Sequence, residues 1–209
     1  MSFDGFLYRA LNPVYAREPL SGRGAALYGG RFNPKGMAAL YTSLSIMTAI
    51  REANQVGSLQ PTTLVSYRAE IERLFDSRDE EALHAWDMDT AALADPVWRD
   101  AMKATGEART QTFARRLFEQ GYQGLLVRSF AAGATAGDLN LVLFQWGSEP
   151  PARLTLIDDE NRLMPLLWFR DLVGSHRIWL RRHAADRSSR HRTCVPAPRR
   201  SPGFPASPR

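Results

Sequence analysis

LNLVLFQW, residues 139–146, limits the fold more than any other stretch of the chain. A strand turns successive side chains to opposite faces. A segment apolar at almost every position therefore needs both faces covered. It is expected as a central strand of a sheet with protein on each side. Around it the pattern keeps changing period. GFLYRALNP reads as a strand entering a proline turn, ALYTS as a short strand, and TTLVSYRAEI as another. YQGLLVRSF is a further strand, and RLTLIDDENRL closes the pattern near residue 163. SIMTAIREANQVG has helical spacing, with Ser45 as N-cap, Ile46, Ala49, Ile50 and Ala53 as the apolar face, and Gly57 as the stop. Residues 76–105 are polar and helical in character, and TQTFARRLFEQG is a helix ending at Gly121. Strands and helices mix without regular alternation, which favours an α+β fold over a doubly wound sheet.

The pI of about 9.8 suggests nucleic-acid binding, but the charge is unevenly placed. Residues 165–209 hold ten arginines against Asp171 and Asp186, a net of +8. The whole chain is +5, so residues 1–164 carry −3. Six of the thirteen prolines also fall after residue 164. The expected division is a folded domain over 1–164 and a basic, Arg/Pro-rich extension over 165–209, largely disordered from about 184 onward. There is no run of about 18 apolar residues, so no membrane span is expected. MSFDGFLYRALNP lacks the marks of a secretory leader, and the lone Cys194 rules out an intrachain disulfide. Both features fit a reducing cytoplasm.

Much familiar chemistry is missing from residues 1–164. His84 is their only histidine and they contain no cysteine, so a Cys/His zinc site is excluded by count. No P-loop occurs, and AAGATAG lacks the spacing and context of a dinucleotide-binding turn. What remains is a set of polar residues near strand ends: Arg9, Arg31, Lys35, Tyr41, Glu52, Ser129 and Asn140. Arg31 and Lys35 lie in YGGRFNPKG. Cations together with N–H groups freed by glycine would make a diphosphate cradle there, and glycine would let the backbone approach a ligand. All of these but Arg9 also have a plainer reading. Gly29-Gly30 can be a hairpin turn, Arg31 and Lys35 solvated loop charges, and Tyr41 a core tyrosine. Glu52 can be a solvated helix shoulder, and Ser129 and Asn140 strand-end caps.

LYGGRFNPKG followed by ALYTSLSIMTAIRE resembles the RES domain family, the toxin half of bacterial RES–Xre toxin–antitoxin modules. GGRFNPKG matches its first motif, with Phe32 where tryptophan is common. Tyr41 and Glu52 match a Tyr and Glu eleven residues apart, Arg9 an early arginine, and VRSF with LNLVLF the late Ser and Asn motif. The chain departs from the pattern at Ala131, where many members carry arginine, so one phosphate contact is either missing or supplied from elsewhere. The resemblance spans residues 6–163 and leaves the basic extension outside.

The resemblance implies an ADP-ribosyltransferase-like fold, a split mixed sheet around an NAD cleft with helices outside. It implies a toxin that consumes NAD as co-substrate and needs no metal. Glu52 would stabilise the oxocarbenium-like ribose, and Arg31 and Arg9 would grip the phosphates. Tyr41 would stack on nicotinamide or ribose, Ser129 and Asn140 would position the substrate, and Lys35 would add charge. The implied partners are an Xre-like antitoxin that occludes the cleft and a cellular protein target, with nucleic acid reached only through the antitoxin. Transfer of ADP-ribose to a protein is favoured, by resemblance to a subgroup. NAD breakdown by phosphate or water, a domain that binds NAD without turning it over, and a nucleic-acid-binding module acting through the basic tail stay open.

Overall fold

The computed structural model describes residues 1–54 and 60–163. The expected helix stop at Gly57 and the whole extension from 165 to 209 lie outside the described residues. Within them the strands are β1 (Phe3–Leu11), β2 (Leu40–Ser43), β3 (Thr63–Ile71), β4 (Leu74–Asp76), β5 (Gly124–Arg128), β6 (Leu139–Leu143) and β7 (Ala152–Leu156). The helices are α1 (Arg23–Tyr28), α2 (Ile46–Ala53), α3 (Glu80–His84), α4 (Thr90–Ala94), α5 (Trp98–Thr105) and α6 (Arg109–Glu119).

The strands form one mixed seven-stranded sheet in the order β4-β5-β6-β2-β1-β3-β7. Only β4 and β5 run parallel. β6 is interior, as its continuous apolar run requires. Leu141, Val142 and Leu143 are all fully buried. Leu141 and Leu143 join Leu7, Leu40 and Leu126 in one core, whereas Val142 and Phe144 join Phe75, Phe113 and Leu125 in the other. Helices α3, α4 and α6 contribute Leu83, Leu93 and Leu117 to this second core. The fold is α+β.

The sheet is split where the site lies. β1 pairs with β3 through nine residue pairs, but with β2 only through Tyr8 and Ser43. Beyond that point the two strands part, and α2 packs over both. Ser45 caps α2 by accepting the N–H of Thr48 at 3.0 Å. The face of the helix differs from expectation. Ile46, Met47 and Ala53 are exposed, while Thr48 and Ala49 are buried. Glu52 is half-buried on this inner side, one turn beyond Thr48 and Ala49. The helix faces the parting of the sheet with small and polar side chains, which leaves room for a cleft that isoleucines would have filled.

Other differences are local. RGAALY forms α1 without a side-chain cap, and its C-terminus is closed by Gly29 at φ +72°. Gly29 therefore closes a helix, and Gly30 opens a tight turn that its antiparallel bridge to Asn33 closes. β4 is three residues long, too short to show a period, and is held because Leu74 and Phe75 are buried. Residues 76–105 resolve into β4's last residue and three short helices.

Candidate functional site

Two cavities of about 340 and 300 Å³ meet over the parting of the sheet. Tyr41, Glu52 and Asn140 line both. The first extends along β1 past Arg9 and under Ala49. The second extends past Gly30 and Arg31 to Trp98, Arg99 and Phe130.

Glu52 is the focus of the hydrogen bonding. Ser129 Oγ and Asn140 Nδ2 both donate to its Oε1, each at 2.5 Å. The amide orientation of Asn140 is set from behind, since its Oδ1 accepts from Ser43 Oγ at 2.7 Å. Ser129 Oγ also accepts from the Ala131 N–H at 3.2 Å. Charge-assisted bonds of this kind are among the stronger ones in proteins, so the carboxylate is held in one place. Ser43 was not singled out in the sequence. Its signal was there, because it lies two residues after Tyr41 and so shares that residue's face of β2.

A second carboxylate fixes the helix that carries Glu52. Asp138 accepts from Thr48 Oγ1 at 2.7 Å, Arg51 Nη1 at 2.6 Å, and the Thr135 N–H and Oγ1 at 2.8 and 2.9 Å. Nothing in the sequence marks this cluster, because its members lie up to 90 residues apart. The Thr135 N–H and then the Thr48 hydroxyl are the leading causes that hold the Asp138 carboxyl far below the usual carboxylate range. A depressed carboxylate contributes stability above its unfolded pKa, about 3.9, and loses that contribution as pH falls toward the folded value. The melting temperature should therefore drop as pH is lowered below about 4. Asp138→Asn should melt lower at neutral pH and show a flatter acid limb, both readable by circular dichroism.

The glycine-rich loop does a different job from the one expected. The N–H groups of Gly29, Gly30 and Gly36 are engaged by Ala25, Asn33 and Ala26 carbonyls, so they offer no cradle to a ligand. Gly30 is needed for an internal contact, because a Cβ there would stand 2.3 Å from Tyr41 Oη. The Tyr41 hydroxyl donates to Asn33 Oδ1 at 2.7 Å and accepts the Phe32 N–H at 3.1 Å. Burial pushes this phenol well above its ordinary value, so it stays protonated and its ring is what the cavities meet. Asn33 Nδ2 and Gln111 Nε2 tie the same loop down from inside.

The two arginines lie in different cavities. Arg31 Nη1 donates to the Leu93 and Asp95 carbonyls at 3.1 and 2.7 Å, and its guanidinium carbon sits 4.7 Å from the Phe130 ring centre. Burial is the largest cause pulling its pKa below the ordinary arginine value, followed by Arg99. Arg9 Nη1 donates to the Pro19 and Ser21 carbonyls, beside Tyr67, whose hydroxyl also holds Pro19. Arg9 thus braces residues 19–21 as well as lining the first cavity. Lys35 is exposed and lines neither cavity. Ala131 is buried. Among the described residues no group of histidines, cysteines and carboxylates is placed to hold a metal ion, and no helix is long and apolar enough to cross a membrane.

The family model for the RES domain matches residues 6–165, which takes in every residue of this site. The chain belongs to the RES domain family. The fold of this RES domain is also found in a chain of the crystal structure of the M. tuberculosis MbcT–MbcA toxin–antitoxin complex. That match has a TM-score of 0.54 at 21% identity and covers 76% of this chain and 84% of the other. No curated protein matches the sequence of this RES domain significantly.

Proposed function

We propose that this RES domain is the toxin of a toxin–antitoxin pair and that it cleaves the bond between nicotinamide and ribose in NAD. One observation carries the reading. Ser129 and Asn140 hold a single carboxylate, Glu52, at the junction of two cavities that between them offer Arg9, Arg31 and the Tyr41 ring. Cleavage of that bond builds positive charge on the ribose, as in glycoside hydrolysis. Nicotinamide leaves as a neutral molecule, so a fixed carboxylate suffices and no general acid is needed. Glu52 supplies the negative charge where the positive charge develops. Arg31 meets a phosphate, Arg9 meets the part of NAD in the other cavity, and the Tyr41 ring excludes water from one face of the sugar.

The acceptor we propose is a cellular protein, in keeping with the sequence resemblance. The crystal structure with the similar fold comes from a toxin–antitoxin complex, which supports an antitoxin partner, and the place we propose for that partner is over this cleft. Folding and chemistry are both assigned to residues 1–164, in the cytoplasm. The test is ³²P-labelled NAD incubated with the purified chain and a cell lysate. Label on one protein band is the expected result. Free ADP-ribose or its phosphate without a labelled band would move the acceptor to water or phosphate. Intact NAD would overturn the enzymatic reading. A chain ending at residue 164 should turn NAD over at the full-length rate. Loss of activity on that truncation would place the function in the basic extension.

A further inference from the structure

The geometry points to the second cavity as the diphosphate subsite of the cleft, with Arg99 as its second guanidinium. This rests on the NAD reading above and adds which side of Glu52 the anionic end occupies. Arg99 is the second residue of α5, and its guanidinium carbon lies 4.5 Å from the ring centre of the largely buried Trp98. Arg31 approaches the same ring to 5.8 Å. Two cations thus approach one indole at the wall of one cavity.

Neither guanidinium forms an ion pair among the described residues. Arg51, Arg68, Arg78, Arg115 and Arg153, by contrast, each have a carboxylate partner. Like charges that line one cavity oppose each other, and an anion bound between them relieves that repulsion. Arg31 feels this repulsion, since Arg99 is the second cause, after burial, that lowers its pKa. Of the two acids whose fields favour the charged form of Arg31, Asp95 directs its carboxylate to the Val97 N–H at 2.9 Å and Glu52 is held by Ser129 and Asn140. Arg31 is held by backbone carbonyls and the exposed Arg99 lies against an aromatic ring, so neither guanidinium is tied up in an ion pair among the described residues. The positive end of α5 adds to the same potential.

The remaining wall is apolar and aromatic, with Phe32, Trp98, Phe130 and Val142. Two charges beside aromatic rings suit a nucleoside diphosphate better than a bare inorganic anion. With the diphosphate here, the ribose that carries nicotinamide falls at Glu52. The leaving base then points into the first cavity, beside Tyr8 and Ala49.

The test is calorimetric binding of ADP, with adenosine as the uncharged control, to the full chain. The variants are Arg99→Ala and, as an exposed arginine outside the cleft, Arg78→Ala. Arg99→Ala should weaken ADP binding by about 10- to 100-fold, the size expected for loss of a charge-assisted contact. Adenosine affinity and the melting temperature should not change, and Arg78→Ala should bind ADP like the wild type. Equal ADP affinity in Arg99→Ala and wild type overturns the role of Arg99. Wild type that turns NAD over but does not bind ADP overturns the subsite and leaves the proposed function standing. Failure of both turnover and ADP binding overturns the two together.

Discussion

Glu52→Gln should lower NAD turnover by about 100- to 1,000-fold while leaving the fold intact. The substitution keeps the size of the side chain and one acceptor oxygen for Ser129 Oγ and Asn140 Nδ2, which meet at Oε1. What it removes is the negative charge beside the ribose. The loss should therefore fall on kcat, since that charge is needed most when the nicotinamide bond is breaking. ADP binding should survive, because the arginines and the aromatic wall are untouched. A rise in KM with kcat unchanged would mean that Glu52 only holds substrate. Equal kcat and KM would remove it from the chemistry.

Gly30→Ala should destabilise the chain by about 1–3 kcal/mol, as overpacking of a tight contact does. For a domain of this size that corresponds to a melting temperature lowered by roughly 3–10 °C. The new Cβ would stand 2.3 Å from Tyr41 Oη and 2.6 Å from Asn33 Oδ1, and these two atoms are hydrogen-bonded to each other. To relieve the clash, either the phenol must leave Phe32 N–H or the turn from Gly30 to Asn33 must open. Both movements disturb the wall shared by the two cavities, so activity should fall with stability. Gly24→Ala, inside α1 with nothing within 4 Å of the added Cβ, is the matched control and should leave activity unchanged and stability equal or higher by up to about 1 kcal/mol. A Gly30→Ala protein as stable as the wild type would show that the loop yields easily.

Local patterns in the sequence carried the strands, and for a physical reason. β6 had to be interior because Leu141, Val142 and Leu143 are apolar on both faces, and β3 and β5 followed from similar runs. The α2 cap was equally legible, since Ser45 accepts a bond from a residue three positions away. The orientation of α2 was not. Ile46, Ala49, Ile50 and Ala53 formed the expected stripe, yet of these only Ala49 is fully buried, beside Thr48, while Ile46 and Ala53 are exposed, because what lies beneath the helix is a cleft and not a core. The candidate residues divide in the same way. Glu52, Ser129 and Asn140 come together in one hydrogen-bonded group, and Tyr41 borders it. Lys35 stands apart, Gly30 serves the packing of Tyr41, and Gly29 closes α1. Asp138 and Arg99 could not have been found from pattern, because each acquires its meaning from partners brought in by other elements.

The single β1–β2 pair, Tyr8 with Ser43, has a mechanical consequence. The sheet amounts to two half-sheets riveted at one point, with α2 as a strap and Asp138 as its buckle. Anything seated in the parting touches both halves and becomes a second rivet. Occupancy and rigidity are then one variable: whatever fills the seam also stiffens the frame that holds Glu52 in place.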